Sequence, residues 1–174
     1  VFGGAQAKPG DNLYNEALTL GAMLARGGHT VLTGGYSGSM EAISRGAAEA
    51  GGHVIGVTCE EIERWRPIRP NAWVQEEIRL VTLQDRLMKL IDLADASLAL
   101  PGGVGTLAEI VMQWNRMIVH AIPLKPLILI GPGWEQVLQS VFTSQDAYIP
   151  VADRSLVKFA SSIHQAAAML DGQA

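Results

Sequence analysis

The sequence has one cysteine, no long apolar run and no excess of basic residues. With Cys59 as its single cysteine, the chain cannot form an internal disulfide, which is typical of a reducing compartment such as the cytoplasm. No stretch of ~18 consecutive apolar residues occurs, so no membrane span is expected. The formal net charge of -4 argues against the basic face of a DNA-binding protein. We therefore expect a cytoplasmic protein that binds neither nucleic acid nor membrane.

Several common sequence motifs are also missing. The chain has no G-x-x-x-x-G-K-[ST] motif, which argues against a P-loop nucleotidase. Its first glycine-rich turn, "GGAQAKPG", lacks the G-x-G-x-x-G spacing of NAD-dependent dehydrogenases. None of the four lysines is well placed at the expected sheet edge to form a Schiff base with pyridoxal phosphate. The histidines are scattered and form no ligand cluster, so we expect neither a metal nor a cofactor.

What the chain does contain is an alternation of strand and helix patterns from end to end. The expected strands are the end of a strand at Val1-Phe2, which begins before residue 1, then Thr30–Thr33, His53–Thr58, Ile78–Thr82, Ser97–Leu100 and Leu127–Ile130. The expected helices are Leu13–Leu24, Met40–Ala50, Leu83–Ala94, Thr106–Val119, Trp134–Phe142 and Ile163–Leu170. This alternation predicts an α/β fold, a doubly wound, Rossmann-like parallel sheet with helices on both faces. The length fits a single domain over residues 1–174.

The segment from Glu60 to Glu77 is the irregular part of the chain. It contains two prolines, two tryptophans and three arginines. A loop of this length inside a domain is usually functional or mobile. Trp65, Arg66, Arg69 and Trp73 either close over a ligand by stacking or belong to an ordinary surface loop.

Glycine-rich loops follow three of the expected strands: "GGAQ" from Gly3, "GGYSGSM" from Gly34 and "PGGVGT" from Pro101. The last two lead directly into helices, whose N-termini carry free N–H groups and partial positive charge. The hydroxyls of Ser37, Ser39 and Thr106 add further donors. These two loops predict a site for a phosphate monoester, although glycines here could also serve only to make tight turns.

Two charged residues near these loops have alternative interpretations. Thr106-Leu107-Ala108-Glu109 matches a capping box, in which the glutamate caps its own helix. Arg86 could be a solvated helix residue paired with Asp85 or Asp92.

The motif around the third loop resembles that of the LOG family of phosphoribohydrolases. The family signature P-G-G-x-G-T-x-x-E is present from Pro101 to Glu109, and the family's upstream arginine corresponds to Arg86, 15 residues before the proline. The turn from Gly34 to Met40 is also similar. Leu87 stands where the family often has lysine, and "GGYSGSM" replaces a run of three glycines, which indicates a divergent member.

This resemblance implies a nucleotide-binding Rossmann domain, usually a homodimer. It also implies an enzyme that cleaves the N-glycosidic bond of nucleoside 5'-monophosphates, either AMP or cytokinin-type, to free base and ribose 5-phosphate. The apolar helix that follows Thr106 is either a dimer face or ordinary core. The alternative is a non-catalytic carrier of a nucleotide or of the molybdenum cofactor on the same fold.

The enzyme hypothesis gives each candidate residue a role. Glu109 is expected to stabilise positive charge on the ribose and to orient or deprotonate water. Arg86 is expected to hold Glu109 and the ribose hydroxyls. The residues expected to bind the phosphate are Gly35, Ser37, Gly38, Ser39 and Met40 in the second loop, and Gly102, Gly103, Gly105 and Thr106 in the third.

Overall fold

Strands and helices alternate along the computed structural model, which describes residues 1–172. The strands are β1 (Val31–Thr33), β2 (Val54–Cys59), β3 (Glu76–Leu80), β4 (Ser97–Ala99), β5 (Leu127–Ile130) and β6 (Lys158–Ala160). The helices are α1 (Asn12–Arg26), α2 (Ser39–Glu49), α3 (Glu60–Trp65), α4 (Leu83–Leu93), α5 (Val104–Ile118), α6 (Pro132–Ser144), α7 (Val151–Arg154) and α8 (Ile163–Asp171).

The strands form two three-stranded parallel sheets, ordered β1-β2-β3 and β4-β5-β6. The segment Val1-Phe2 lies between them. The Val1 nitrogen donates to the Leu32 carbonyl at 2.6 Å, and Phe2 forms a parallel bridge with Ala99. The segment therefore links β1 to β4, and the predicted doubly wound parallel fold is confirmed.

Alternate residues of each strand face opposite layers, as the strand period of two requires. Leu98, Leu100, Ile128 and Ile130 pack with α1, α2 and α8 in one hydrophobic cluster. Ala99, Leu127 and Leu129 pack with α4, α5 and α6 in the other cluster. The sheet is therefore covered on both faces, and ligands can approach mainly at its strand ends.

Helices α1 and α2 cross with their backbones in close contact. A Cβ atom on Gly46 would overlap the Leu18 carbonyl oxygen, and one on Gly21 would overlap the Ile43 carbonyl oxygen. Glycine is required at both positions because no side chain fits between the helices. This contact fixes where α2 begins relative to α1.

The structure differs from the sequence prediction mainly between residues 60 and 80 and near the C-terminus. Glu60–Trp65 is a helix, β3 is Glu76–Leu80 rather than Ile78–Thr82, and neither α7 nor β6 was predicted. The predicted domain, residues 1–174, extends two residues beyond the described ones. Within residues 1–172, no helix combines the length and the apolar character needed to cross a bilayer.

Candidate active site

The three glycine-rich loops meet at the carboxyl ends of the parallel strands. The Gly4 amide donates to the Pro101 carbonyl at 3.3 Å, and the Ser39 amide donates to the Gly4 carbonyl at 2.9 Å. The first loop therefore lies between the other two and is bonded to both. This edge of a doubly wound sheet is where ligands of such folds bind.

A cavity of about 630 Å³ opens at this point. Its volume lies in the range of small-molecule sites. Both predicted catalytic residues, Arg86 and Glu109, line it. So do five of the nine predicted phosphate-binding residues, namely Met40, Gly102, Gly103, Gly105 and Thr106. The structure does not place Gly35, Ser37, Gly38 or Ser39 in the cavity lining.

We call the turn from Pro101 to Thr106 the open turn, because two of its three glycines face free space, whereas a Cβ atom on Gly102 would overlap the Thr106 side chain. A Cβ atom on Gly103 or Gly105 would meet no other atom within 4 Å. No side chain caps α5, which starts at Val104 directly after Gly103. The first amides of a helix have no intrahelical acceptor, so the α5 N-terminus presents N–H groups and partial positive charge to the cavity.

We call the turn from Gly34 to Met40 the closed turn, because its glycines pack against neighbouring atoms. Gly38 has φ +78°, and a Cβ there would lie 2.5 Å from the Ala5 backbone. Ser39 is fully buried, its Oγ has no partner among the described residues, and its amide is bonded to Gly4. The Gly35 amide donates to the Thr33 hydroxyl at 3.1 Å. These amides are therefore committed within the protein.

Arg86 is a buried residue of α4 that joins the closed turn to the sheet. Its Nε donates to the Val57 carbonyl at 2.8 Å, and its Nη2 donates to the Gly34 carbonyl at 3.1 Å. The guanidinium also lies 5.6 Å from the centre of the Tyr36 ring. These contacts contradict the alternative of a solvated arginine paired with Asp85 or Asp92, since the side chain is only 7% exposed.

Glu109 lies beside Arg86, with Oε1 3.8 Å from the arginine Nη1. This distance is too long for a hydrogen bond, so the carboxyl group keeps its acceptor capacity for a ligand. Burial raises the pKa of Glu109 to about 7, against the opposing effect of the Arg86 charge. A carboxyl group with this pKa can exchange protons near neutral pH.

The capping-box interpretation of Glu109 is wrong. Because α5 begins at Val104, Thr106 is the third residue of the helix and not its cap. Glu109 then lies in the second turn, too far along to reach the N-cap amide of its own helix. The sequence pattern was misleading because Val104 and Gly105 are already helical, so α5 begins two residues before Thr106.

The segment after β2 contributes three cavity residues, Ile62, Trp65 and Arg66. Arg66 Nη2 donates to the Ser37 hydroxyl at 3.3 Å. Trp73 instead lies under the guanidinium of Arg45, 5.6 Å from the ring centre, and neither it nor the exposed Arg69 is part of the lining.

Sequence reasoning missed several residues of the cavity wall. The first loop lines the cavity from Gly3 to Ala7, together with Leu13, Tyr36 and Ile62. The loop's place after a strand, at the same sheet edge as the other two loops, was a usable signal. The apolar side chains gave none, because their pattern also fits ordinary core. Among residues 1–172, no three His, Cys, Asp or Glu side chains are grouped as a metal ion would require.

These features define the class: a Rossmann-like α/β protein whose ligand cavity lies at the carboxyl ends of its parallel strands, beside an open helix N-terminus. The chain belongs to the LOG family. The family model described as "Possible lysine decarboxylase" matches residues 40–170.

Curated relatives carry a more specific name. The chain is 33% identical over 138 residues to the probable cytokinin riboside 5'-monophosphate phosphoribohydrolase LOGL5 of Oryza sativa, covering 75% of this chain and 54% of the relative. It is 28% identical to the cytokinin riboside 5'-monophosphate phosphoribohydrolase of Rhodococcoides fascians, covering 98% of this chain and 87% of the relative. The chain thus spans about half the length of the rice protein.

A solved structure of a different description has a similar fold. The molybdenum cofactor binding protein from Rippkaea orientalis matches 98% of this chain and 91% of its own length, with 25% identity and a TM-score of 0.75.

Proposed function

We propose that this protein hydrolyses the N-glycosidic bond of nucleoside 5'-monophosphates, AMP or cytokinin-type, to free base and ribose 5-phosphate. The observation that carries the proposal is the buried Arg86–Glu109 pair, which lines the same cavity as the N-terminus of α5. The N-terminus of α5 suits a phosphate, and the carboxylate of Glu109 suits a developing positive charge on the sugar. The names of the relatives support the same activity.

Phosphate binding is assigned to the open turn. The amides at Gly103, Gly105 and Thr106 have the direction and charge that an anion prefers at a helix N-terminus, and Met40 and Gly102 complete the wall. Gly35, Ser37, Gly38 and Ser39 would then act indirectly, by fixing the first loop and Arg86. Binding of the phosphate supplies energy that holds the ribose in position.

Bond cleavage is assigned to Glu109. As the C1'–N bond breaks, its electron pair leaves with the base and positive charge develops on the ribose ring. A carboxylate in a partly dry site stabilises that charge. Glu109 also orients the attacking water and accepts its proton as the oxygen bonds to C1'. That proton then passes to the departing base, which restores the carboxylate. Arg86 keeps the carboxylate in place, and its remaining N–H groups can contact the ribose hydroxyls.

The family description of a lysine decarboxylase has no support in the site. None of the four lysines is among the cavity residues. Lys125, which is partly buried, donates to the carbonyl oxygens of Ile91 and Ala94 at the end of α4. A pyridoxal phosphate enzyme needs a lysine at the site to carry the cofactor.

The activity is tested by incubating the protein with a panel of nucleoside 5'-monophosphates and measuring free base by chromatography. We expect base release from at least one monophosphate and none from the matching nucleoside, because the nucleoside lacks the phosphate. Absence of base release from every monophosphate would reject the hydrolase.

Binding of the molybdenum cofactor is the second candidate, because a protein named for it shares the fold over 98% of this chain. A pterin that copurifies with the protein, together with no base release, would favour this candidate.

We also propose that the protein is a homodimer. Val104, Val111 and Val119 on and just after α5 are 84%, 43% and 60% exposed, whereas Ile110, Trp114 and Met117 of the same helix are core residues. Light scattering on the purified protein tests the homodimer.

The cytoplasmic location stays a prediction.

A further inference from the structure

One side chain at the cavity is far more exposed than its chemistry favours. Trp65 borders the cavity, and 80% of its surface is exposed. A tryptophan ring usually buries a large apolar area. An exposed ring at the mouth of a ligand cavity therefore indicates a binding surface. Tyr36, the other aromatic residue of the lining, is only 2% exposed and offers no free ring face.

The ring is held on a short helix that is anchored on both sides. The carboxylate of Glu63 accepts from Arg79 Nη2 at 2.6 Å and from the Tyr36 hydroxyl at 3.3 Å. Arg66, the residue after Trp65, is bonded to Ser37 of the closed turn. These contacts keep α3 in place, so the exposure of Trp65 is a fixed feature of the cavity mouth.

The part of the cavity around Trp65 is the part that remains for the base. In the proposed function, the open turn takes the phosphate and the Arg86–Glu109 pair takes the ribose. The remaining lining is largely apolar and includes Ala7, Leu13, Ile62 and Trp65. Of these side chains, only Trp65 has an aromatic face, and aromatic faces stack well on nucleobases.

We propose that Trp65 stacks on the base of the bound nucleotide and is the residue that sets base preference, favouring the larger purine ring system. This proposal rests on the proposed function for the placement of the phosphate and ribose. Stacking on a purine covers more of the indole than stacking on a pyrimidine, so Trp65 contributes more to the binding of purine nucleotides.

The first experiment measures binding in a Glu109→Gln background, where the nucleotide is not consumed. Trp65→Ala is expected to raise the Kd for AMP about 10-fold, whereas Trp65→Phe, which keeps an aromatic face, recovers most of the affinity. The Kd for ribose 5-phosphate, which has no base, is expected to change less than about 2-fold. Tyr148→Ala is the matched control, because Tyr148 is 83% exposed and lies outside the cavity.

Two results would overturn the proposal. One is an unchanged Kd for AMP in Trp65→Ala, and the other is an equal loss of AMP and ribose 5-phosphate binding. A fluorescence titration adds an independent readout: AMP should quench tryptophan emission in the Glu109→Gln protein and quench it much less in its Trp65→Phe variant.

Failure of this proposal is distinguishable from failure of the hydrolase. If wild type releases base and Trp65→Ala leaves KM unchanged, Trp65 is not a stacking residue and the enzyme stands. If wild type releases no base but AMP binding still depends on Trp65, the hydrolase fails and the stacking role stands.

Discussion

The open turn and the closed turn look alike in the sequence but differ in what their glycines do. Both follow a buried strand and both lead into a helix. In the open turn, Gly103 and Gly105 face free space, whereas Gly34 and Gly38 of the closed turn are pressed against Arg86 and Ala5. One turn is therefore available to a ligand, and the other is part of the framework.

The difference shows that a glycine-rich strand-to-helix turn is not by itself an anion site. An amide can bind an anion only when it has no acceptor within the protein. The closed turn fails this condition at Gly35 and Ser39, whose amides are bonded to Thr33 and Gly4. Its role is to fix Arg86, because the Gly34 carbonyl accepts from that guanidinium.

The largest effect is expected at Glu109, on the helix that follows the open turn. Glu109→Gln keeps the size of the side chain but removes its charge, so kcat should fall about 100-fold or more. The Kd for nucleotide should change little, since the phosphate contacts are retained. Steady-state kinetics and equilibrium binding check this pair of results. Unchanged kcat would exclude a catalytic role for Glu109.

The next largest effect is a loss of stability on substitution in the closed turn. In Gly38→Ala, the new methyl group meets the Ala5 backbone at 2.5 Å at a φ of +78°, so the variant should lose about 3 kcal/mol of unfolding free energy or more. Gly51→Ala is the control, because Gly51 has φ +84° with no atom within 4 Å. Urea denaturation should show a much smaller loss in the control. Equal losses would mean that backbone strain alone accounts for the effect.

The pH dependence of kcat/KM is expected to reflect the protonation of Glu109. The pKa of this buried carboxyl group is raised to about 7, and the group must be charged to stabilise the sugar cation. Lowering the pH below 7 protonates it, so kcat/KM should fall about tenfold per pH unit and level off above 7. A rate profile between pH 5.5 and 8.5 measures this. A flat profile would show that the group does not titrate in this range.

The smallest effect is a rise in KM on substitution in the open turn. In Gly105→Ala, the methyl group enters free space on the cavity side, so the fold should gain a few tenths of a kcal/mol while KM rises about 5-fold because the anion is obstructed. Gly133→Ala is the control, since Gly133 is likewise the second residue of its helix and faces free space outside the cavity. Only the Gly105 variant should change KM. If KM is equal in the two variants, the phosphate does not bind at the open turn.

Much of the fold was predictable because long amphipathic helices and buried strands leave clear periodicities in the sequence. Helix α3 left none, since its six residues include no buried side chain. Strand β3 is charged and partly exposed, which shifted its predicted position by two residues. The three-residue strand β6, with Lys158 and only one buried residue, gave too short a pattern.

The presence of Arg86 and Glu109 at the cavity was predictable from the resemblance to the family motif, whereas their local sequence patterns also fitted a solvated arginine and a helix cap. The site was not predictable where it depends on contacts between distant loops. That the Ser39 amide is bonded to Gly4 follows from the placement of the first loop beside the second, which no local pattern encodes.

The contact between α1 and α2 has a mechanical consequence for the cavity mouth. Main-chain atoms at Gly21 and Gly46 lie in close contact with the facing helix, so we expect the two helices to shift only as a unit. Any side chain added at either glycine would wedge them apart and displace the start of α2. Ser37, which precedes α2, accepts a hydrogen bond from Arg66 at the cavity. A change at the contact between α1 and α2 would therefore also displace residues at the mouth of the cavity.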